Sequence, residues 1–154
     1  MRLALFQPDI PQNTGTLLRL GACLDLPIDI IEPCGFLFNE KALIRAGMDY
    51  LDFASYRRHD SWEDFLKFRA QNSQEYGRIV LMTTKAGQPY TDFKFQENDV
   101  ILMGRESAGV PEEVHHIADA RITIPMAPQA RSINMAVSAS MAIGEALRQT
   151  RWGK

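Results

Sequence analysis

Short apolar runs alternate along this chain with segments whose apolar side chains recur at helical spacing. The predicted strands are residues 3–6, 28–31, 51–56, 78–84, 99–103 and 121–124. The predicted helices are residues 14–24, 39–46, 60–69, 111–117 and 132–149. Several strands are continuous apolar runs, which is typical of strands that are covered on both faces. The alternation therefore predicts an α/β domain with a mostly parallel sheet and helices on both faces.

Three of these helices begin near residues that favour helix N-caps. Asn39 precedes the second helix, Asp60 with Glu63 precedes the third, and Ser132 precedes the last. Because a cap side chain accepts a hydrogen bond from a backbone N–H of the first turn, these residues are predicted to mark the helix starts.

The chain has the size and composition of one domain. Its 154 residues, 45% of them hydrophobic, can bury a single core, and no repeat or linker interrupts them. We therefore predict one domain spanning residues 1–154. The net charge of −2 argues against a protein that coats nucleic acid through bulk positive charge, and DNA is not an expected partner. The local cluster Arg57-Arg58-His59 is either a basic patch or a solvated surface.

Several other classes of protein are also disfavoured. No stretch is long and apolar enough to span a membrane, and the chain opens on a strand-like run without a signal peptide, so a cytoplasmic location is predicted. Cys23 and Cys34 have no C-x-x-C spacing, and His115 and His116 are adjacent, so they point in different directions on a helix. We predict neither a metal site nor a disulfide framework.

Three polar, glycine-containing segments fall at the ends of predicted strands. They are Asn13-Thr14-Gly15 with Arg19 close behind, residues 104–111 (GRESAGVP), and Ile124-Pro125-Met126 running into Arg131-Ser132-Ile133-Asn134. Ligands of open α/β sheets bind outside the carboxyl ends of the strands. The middle segment has G-x-x-x-x-G spacing without the Lys-Ser/Thr of a phosphate loop, and the chain has no G-x-G-x-x-G. A nucleotide triphosphate loop and the usual dinucleotide fold are thus disfavoured.

Individual residues of these segments allow a functional and a structural interpretation. Arg19 lies away from the apolar stripe of its helix, so it is either an exposed arginine or a group that holds a phosphate and neutralises an oxyanion. Gly104 and Gly109 suit a tight turn or the close approach of a ligand. Glu106 is either a surface carboxylate or an acceptor and counter-charge for a ligand. Ser132 can cap its helix and also face a ligand.

Taken together, the three segments resemble a known family. The patterns N-x-G-x-x-x-R, G-x-E-x-x-G-V-P and I-P-M followed by R-S-I-N are similar, in order and spacing, to the three motifs of the SPOUT superfamily of RNA 2′-O-ribose methyltransferases. The resemblance covers nearly the whole chain. With no appended RNA-binding domain, the chain looks like the small single-domain type, which methylates the wobble nucleotide of leucine tRNAs.

The resemblance implies a fold, a methyl donor and an assembly. The carboxyl-terminal part of the sheet would be threaded into a deep trefoil knot, an arrangement that general topology rules disfavour. The knot loops would bind S-adenosylmethionine, and two subunits would pair across them. The small residues Ala136, Ser140 and Gly144 of the last helix fit either such a homodimer or packing within one subunit.

The resemblance also implies roles for individual residues. Arg19 would be the catalytic arginine, supported by Asn13. Arg131 and Asn134 would border the ribose and its phosphates, with Glu106 on the same substrate side. The predicted cofactor contacts are Met82, Thr83, Gly104, Ile124, Met126 and Ser132. The chain departs from the family at Ala136, where members often have a serine.

The implied reaction is S-adenosylmethionine-dependent methylation of the ribose 2′-hydroxyl of the wobble nucleotide, a cytidine or modified uridine, in leucine tRNA anticodons. The partner would be the anticodon stem-loop. Two alternatives stay open: the same chemistry on another tRNA or rRNA nucleotide, and an RNA-binding module without turnover.

Overall fold

A computed structural model describes residues 1–38 and 53–153 of the chain, and its centre is a six-stranded sheet. The strands are β1 (Arg2–Phe6), β2 (Ile28–Ile31), β3 (Tyr56–His59), β4 (Ile79–Met82), β5 (Val100–Met103) and β6 (Ala120–Ile122). Their order is β3-β2-β1-β5-β4-β6, and every neighbouring pair is parallel. The prediction of a mostly parallel α/β sheet is therefore confirmed.

Helices cover both faces of this sheet, as predicted. They are α1 (Pro11–Leu24), α2 (Trp62–Gln71), α3 (Glu112–Ile117) and α4 (Met135–Leu147). Successive side chains of a strand point to opposite faces. Leu3 and Leu5 of β1 accordingly join a core with α1 and α4, whereas Ala4 and Phe6 join a second core with α2 and α3. None of the helices in the described part of the chain is long and apolar enough to cross a membrane.

The structure corrects several predicted boundaries. Of the predicted strand 51–56, residues 53–55 are not strand, and β3 starts only at Tyr56. Because β3 is an edge strand with exposed Arg57 and Arg58, it lacks the apolar pattern that marks the buried strands. The helix predicted for residues 39–46, with its cap Asn39, lies outside the described residues.

Two predicted helix caps are also wrong. Ser61, not Asp60, caps α2 by accepting a hydrogen bond from the backbone N of Asp64 at 3.1 Å. Asn134, not Ser132, caps α4 by accepting from the backbone N atoms of the second and third helical residues. In both cases the nearer polar residue fills the cap position, because the side chain must reach an N–H of the first turn.

A buried carboxylate joins the first three strands. Asp29 of β2 is fully buried and accepts hydrogen bonds from His59 (2.7 Å), Tyr76 (2.9 Å) and Arg2 (2.9 Å). Burial alone would raise the pKa of Asp29, but the hydrogen bonds from His59 and Arg2 outweigh it and hold this pKa below its usual range. Asp29 therefore stays ionised and ties β1, β2 and β3 together.

Candidate functional site

The three sequence segments converge at the carboxyl edge of the sheet. Strands β1, β5, β4 and β6 are consecutive in the sheet, and parallel strands end at the same edge. The connections that follow these strands enclose a cavity of about 450 Å³. The volume falls within the range of about 300–1,000 Å³ that is usual for small-molecule sites.

Ten of the eleven predicted site residues line this cavity. They are Asn13, Met82, Thr83, Gly104, Glu106, Ile124, Met126, Arg131, Ser132 and Asn134. Arg19 does not: it is exposed on α1, six residues beyond Asn13. The structure thus gathers residues from all three segments and leaves Arg19 outside the cavity wall.

The first segment is helical rather than a loop. Helix α1 begins at Pro11, where a missing N–H and a fixed φ suit the first helical position, so Asn13 lies in the first turn. Asn13 is only 8% exposed, although polar. Its side chain therefore faces the interior of the site, where it requires partners.

Those partners form a relay of hydrogen bonds across the site. The Asn13 side-chain N donates to Oε1 of Glu106 at 3.0 Å, and its Oδ1 accepts from the side-chain N of Asn134 at 3.0 Å. The Oδ1 of Asn134 in turn caps α4. One asparagine thus joins the second and third segments, which lie 93 and 121 residues away in sequence.

The second segment is a closed turn. Backbone N–H groups of Arg105 and Gly109 donate to each other's carbonyl oxygens at 2.8 and 2.9 Å. Gly109 has a φ of +67°, which glycine adopts without strain. A Cβ on Gly104 would lie 2.7 Å from the carbonyl carbon of Gly109. Both glycines are therefore explained by the geometry of the turn, and the absent side chain of Gly104 makes room for backbone.

Charges at the cavity are unevenly compensated. Arg105 pairs with Asp9, whose pKa the hydrogen bonds from Arg105 and Ser107 lower to about 2, so this pair is ionised at neutral pH. Each carboxylate oxygen of Glu106 accepts a hydrogen bond from within the protein. In the described residues neither Lys85 nor Arg131 has an ion-pair partner, and both are exposed at the cavity. The opening of the cavity, where Lys85 and Arg131 lie, is therefore suited to an anionic ligand.

Sequence reasoning missed several residues of this site. Lys85, Arg105, Ser107 and the buried His115 also line the cavity, and Asp9 lies behind it. Arg105 and Ser107 lie within the second segment, whereas Lys85, His115 and Asp9 lie outside all three. The place of each is set by its tertiary neighbours, so one sequence carries no periodic signal for it. Within residues 1–38 and 53–153, no group of three or more His, Cys, Asp and Glu side chains is placed to hold a metal ion.

The fold is shared with solved structures of RNA methyltransferases. A model of the SpoU rRNA Methylase family matches residues 1–144. The chain therefore belongs to the SpoU rRNA methylase family, and the resemblance noted from the three motifs is confirmed.

Within this family the chain has close relatives. It is 58% identical over 147 residues to the tRNA (cytidine(34)-2′-O)-methyltransferase of Beijerinckia indica subsp. indica, covering 96% of this chain and 90% of the relative. The chain also superimposes on a solved structure that concerns the 2-OH methylation of C/U34 on tRNA. The TM-score is 0.90 at 37% identity, covering 99% of this chain and 97% of that one. An AdoMet-bound rRNA methyltransferase from Sinorhizobium meliloti has a TM-score of 0.82 at 27% identity, covering 96% of this chain and 55% of its own.

Proposed function

We propose that this protein methylates the ribose 2′-hydroxyl of nucleotide 34 of tRNA, with S-adenosylmethionine as the methyl donor. The observation that carries the proposal is the convergence of ten predicted site residues on one cavity, in a chain 58% identical to a tRNA (cytidine(34)-2′-O)-methyltransferase. The proposed substrate is the anticodon stem-loop of leucine tRNAs, and a cytoplasmic location accords with that substrate.

The cavity lining fits the proposed methyl donor. Leu81, Met103, Val110 and Ile124 supply apolar wall for a base and a sulfonium chain, and Thr83 and Ser132 supply hydroxyl groups. Residues Met82, Thr83, Gly104, Ile124, Met126 and Ser132 would hold the donor. When bound, S-adenosylmethionine supplies an electrophilic methyl group at its sulfonium centre.

The protein's own residues would bind and orient the ribose. A guanidinium group is a poor proton acceptor, so the role of Arg19 is to stabilise the developing alkoxide and the adjacent phosphate. Arg131 and Lys85, which have no ion-pair partner among the described residues, offer positive charge to RNA phosphates at the cavity opening. Glu106 and Asn134 orient Asn13, because their polar atoms are directed toward it.

In this proposal, the carboxyl-terminal part of the chain is threaded as a deep trefoil knot. Two features support it. Strand β6 pairs with β4 at the edge of the sheet, and the chain then returns so that α4 packs on α1 and on β5, a central strand of the sheet.

Two subunits pair through α4 in this proposal. Val137 is 51% exposed and Met141 37% exposed on this helix, and a Cβ on Gly144 would meet no atom within 4 Å, whereas Ala136 is buried within the subunit. We expect dilute protein to sediment at about twice the chain mass of 17.4 kDa. Met141→Glu should shift it to the monomer, whereas Ile117→Glu, at a similarly exposed apolar residue on α3, should not. A wild-type monomer with full activity would contradict the dimer.

Gly104→Ala is expected to weaken binding of the methyl donor while the domain stays folded. The added Cβ would meet backbone at 2.7 Å, so the turn must move by roughly 1 Å to restore a usual carbon contact of about 3.5–4.0 Å. Calorimetry with S-adenosylmethionine should show Kd raised at least about tenfold, which corresponds to about 1.4 kcal/mol. Gly87→Ala is the control, because a Cβ there has no neighbour within 4 Å. Wild-type affinity of Gly104→Ala would remove this turn from the binding site.

The function itself is tested with purified protein, labelled S-adenosylmethionine and total tRNA, followed by nuclease mapping of the label. We expect a 2′-O-methyl group at nucleotide 34 of leucine tRNAs. A leucine tRNA with a single deoxyribose at nucleotide 34 should bind with wild-type affinity and accept no methyl group. Label at another nucleotide would support the same chemistry at a different site, and binding without any label would support a non-catalytic module.

A further inference from the structure

We propose that Asp9, which does not line the cavity, is a positioning residue for methyl transfer, holding the turn of residues 105–109 against the start of α1. This inference rests on the proposed function, and it assigns a role to a residue outside the three motifs. It is carried by the hydrogen bonds that converge on Asp9 and by the elements that these bonds connect.

The carboxylate of Asp9 accepts four hydrogen bonds from two residues of the turn. Its Oδ1 accepts from Nε and Nη2 of Arg105 at 3.2 and 2.8 Å, and its Oδ2 accepts from the backbone N and Oγ of Ser107 at 3.1 and 2.5 Å. The backbone N of Asp9 donates to Oε2 of Glu106 at 2.8 Å. Three consecutive residues of the turn are therefore bound to one residue of the β1–α1 connection.

The surroundings of Asp9 leave little freedom for a different arrangement. Gly35 approaches from the connection after β2, and a Cβ there would lie 2.9 Å from Oδ1 and 3.0 Å from Cα of Asp9. The backbone N of Gly35 also donates to the carbonyl of Pro8 at 2.9 Å. The connections after β1, β2 and β5 thus meet at Asp9, and a carboxylate is suited to this place because both of its oxygens only accept hydrogen bonds.

These contacts link the two halves of the site. Arg105 and Ser107 form part of the cavity wall, whereas α1 begins two residues after Asp9 and carries Asn13 and Arg19. A rigid connection between wall and helix fixes the distance between the methyl donor and the groups that act on the ribose. Misplacement by about 1 Å at such a distance can cost roughly a hundredfold in rate. Asp9 therefore acts through the geometry of its neighbours.

The test compares Asp9→Ala and the nearly isosteric Asp9→Asn with the wild-type protein. We expect both variants to be folded, and Asp9→Ala to raise the Kd for S-adenosylhomocysteine in calorimetry by at least about tenfold, because a turn that Asp9 no longer holds must be ordered when the ligand binds. At saturating S-adenosylmethionine, single-turnover methylation of leucine tRNA by Asp9→Ala should fall by at least about tenfold. Asp64→Ala, which removes an exposed ion pair with Lys67 on α2, should change neither value.

A double-mutant cycle isolates the contact. If Asp9 acts through Arg105, the effects of Asp9→Ala and Arg105→Ala on Kd should be less than additive in the double variant. A folded Asp9→Ala or Asp9→Asn protein with wild-type Kd and wild-type single-turnover rate would overturn the inference. So would a raised Kd with an unchanged rate at saturation, because the role would then be confined to binding. The calorimetry needs no RNA, so failure of the proposed tRNA reaction would be seen separately, as wild-type protein that binds the donor and methylates no tRNA.

Discussion

Arg19→Ala is expected to abolish most methyl transfer while leaving the fold and the affinity for the methyl donor unchanged. Loss of a single group that stabilises a developing oxyanion costs about 10²- to 10³-fold in rate. The substitution would also remove a phosphate contact, so we expect the methylation rate to fall by at least this factor. Binding of the donor should be unaffected because Arg19 is exposed on α1 and does not line the cavity. Single-turnover methylation and calorimetry with S-adenosylmethionine measure the two quantities independently.

Two further variants make this result specific to Arg19. Arg19→Lys should restore little of the rate, because a point charge does not reproduce the planar, bidentate guanidinium. Lys67→Ala removes an exposed cation from α2, on the opposite face of the sheet, and should behave as wild type. Normal turnover by Arg19→Ala would show that this residue is an ordinary surface arginine.

Asn13→Asp is expected to lose about 10²- to 10³-fold in methylation rate. The substitution changes one amide into a carboxylate and places two negative charges about 3 Å apart, where Asn13 now donates to Glu106 at 3.0 Å. Repulsion between unit charges at about 4 Å amounts to roughly 4 kcal/mol at an effective dielectric constant of 20. The relay to Asn134 would be distorted with it, and single-turnover rates measure the consequence.

The double variant Asn13→Asp with Glu106→Gln provides the decisive comparison. The introduced glutamine can accept from the backbone N of Asp9 through its carbonyl and donate through its amide to the introduced aspartate, so every hydrogen bond of the relay is restored. We expect the double variant to recover to within about tenfold of the wild-type rate, with each single variant well below it. If the double variant is no better than Asn13→Asp, the amide of Asn13 or the charge of Glu106 acts directly on the substrate.

Much of the architecture was predictable from local patterns. The apolar runs of β1, β4 and β5 are buried on both faces, and such runs are visible in the sequence because burial acts on every residue of the strand. The edge strand β3 was misplaced, because exposure of Arg57 and Arg58 removes that signal. Caps were less predictable than helices, since Ser61 and Asn134 each lie beside another residue that can also cap.

The candidate site was likewise predictable only in part. Its three segments were predicted from motif and position at strand ends, and ten of the eleven named residues line one cavity. The partners of those residues were not predictable. The hydrogen bonds from Asn13 to Glu106 and from Arg105 to Asp9 join residues that are 93 and 96 positions apart in sequence, so no local sequence pattern predicts them.

By itself, the sequence determined the alternation of strands and helices, the parallel sheet and the three segments that end its strands. These depend on spacing between near neighbours, which a linear chain displays directly. Only the tertiary structure decided that Asn134 caps α4, that Arg19 stands outside the cavity wall, and that Asp9 joins three connections at one carboxylate. These features depend on which strand ends become neighbours when the sheet assembles in the order β3-β2-β1-β5-β4-β6, because that order brings distant polar groups within hydrogen-bond distance.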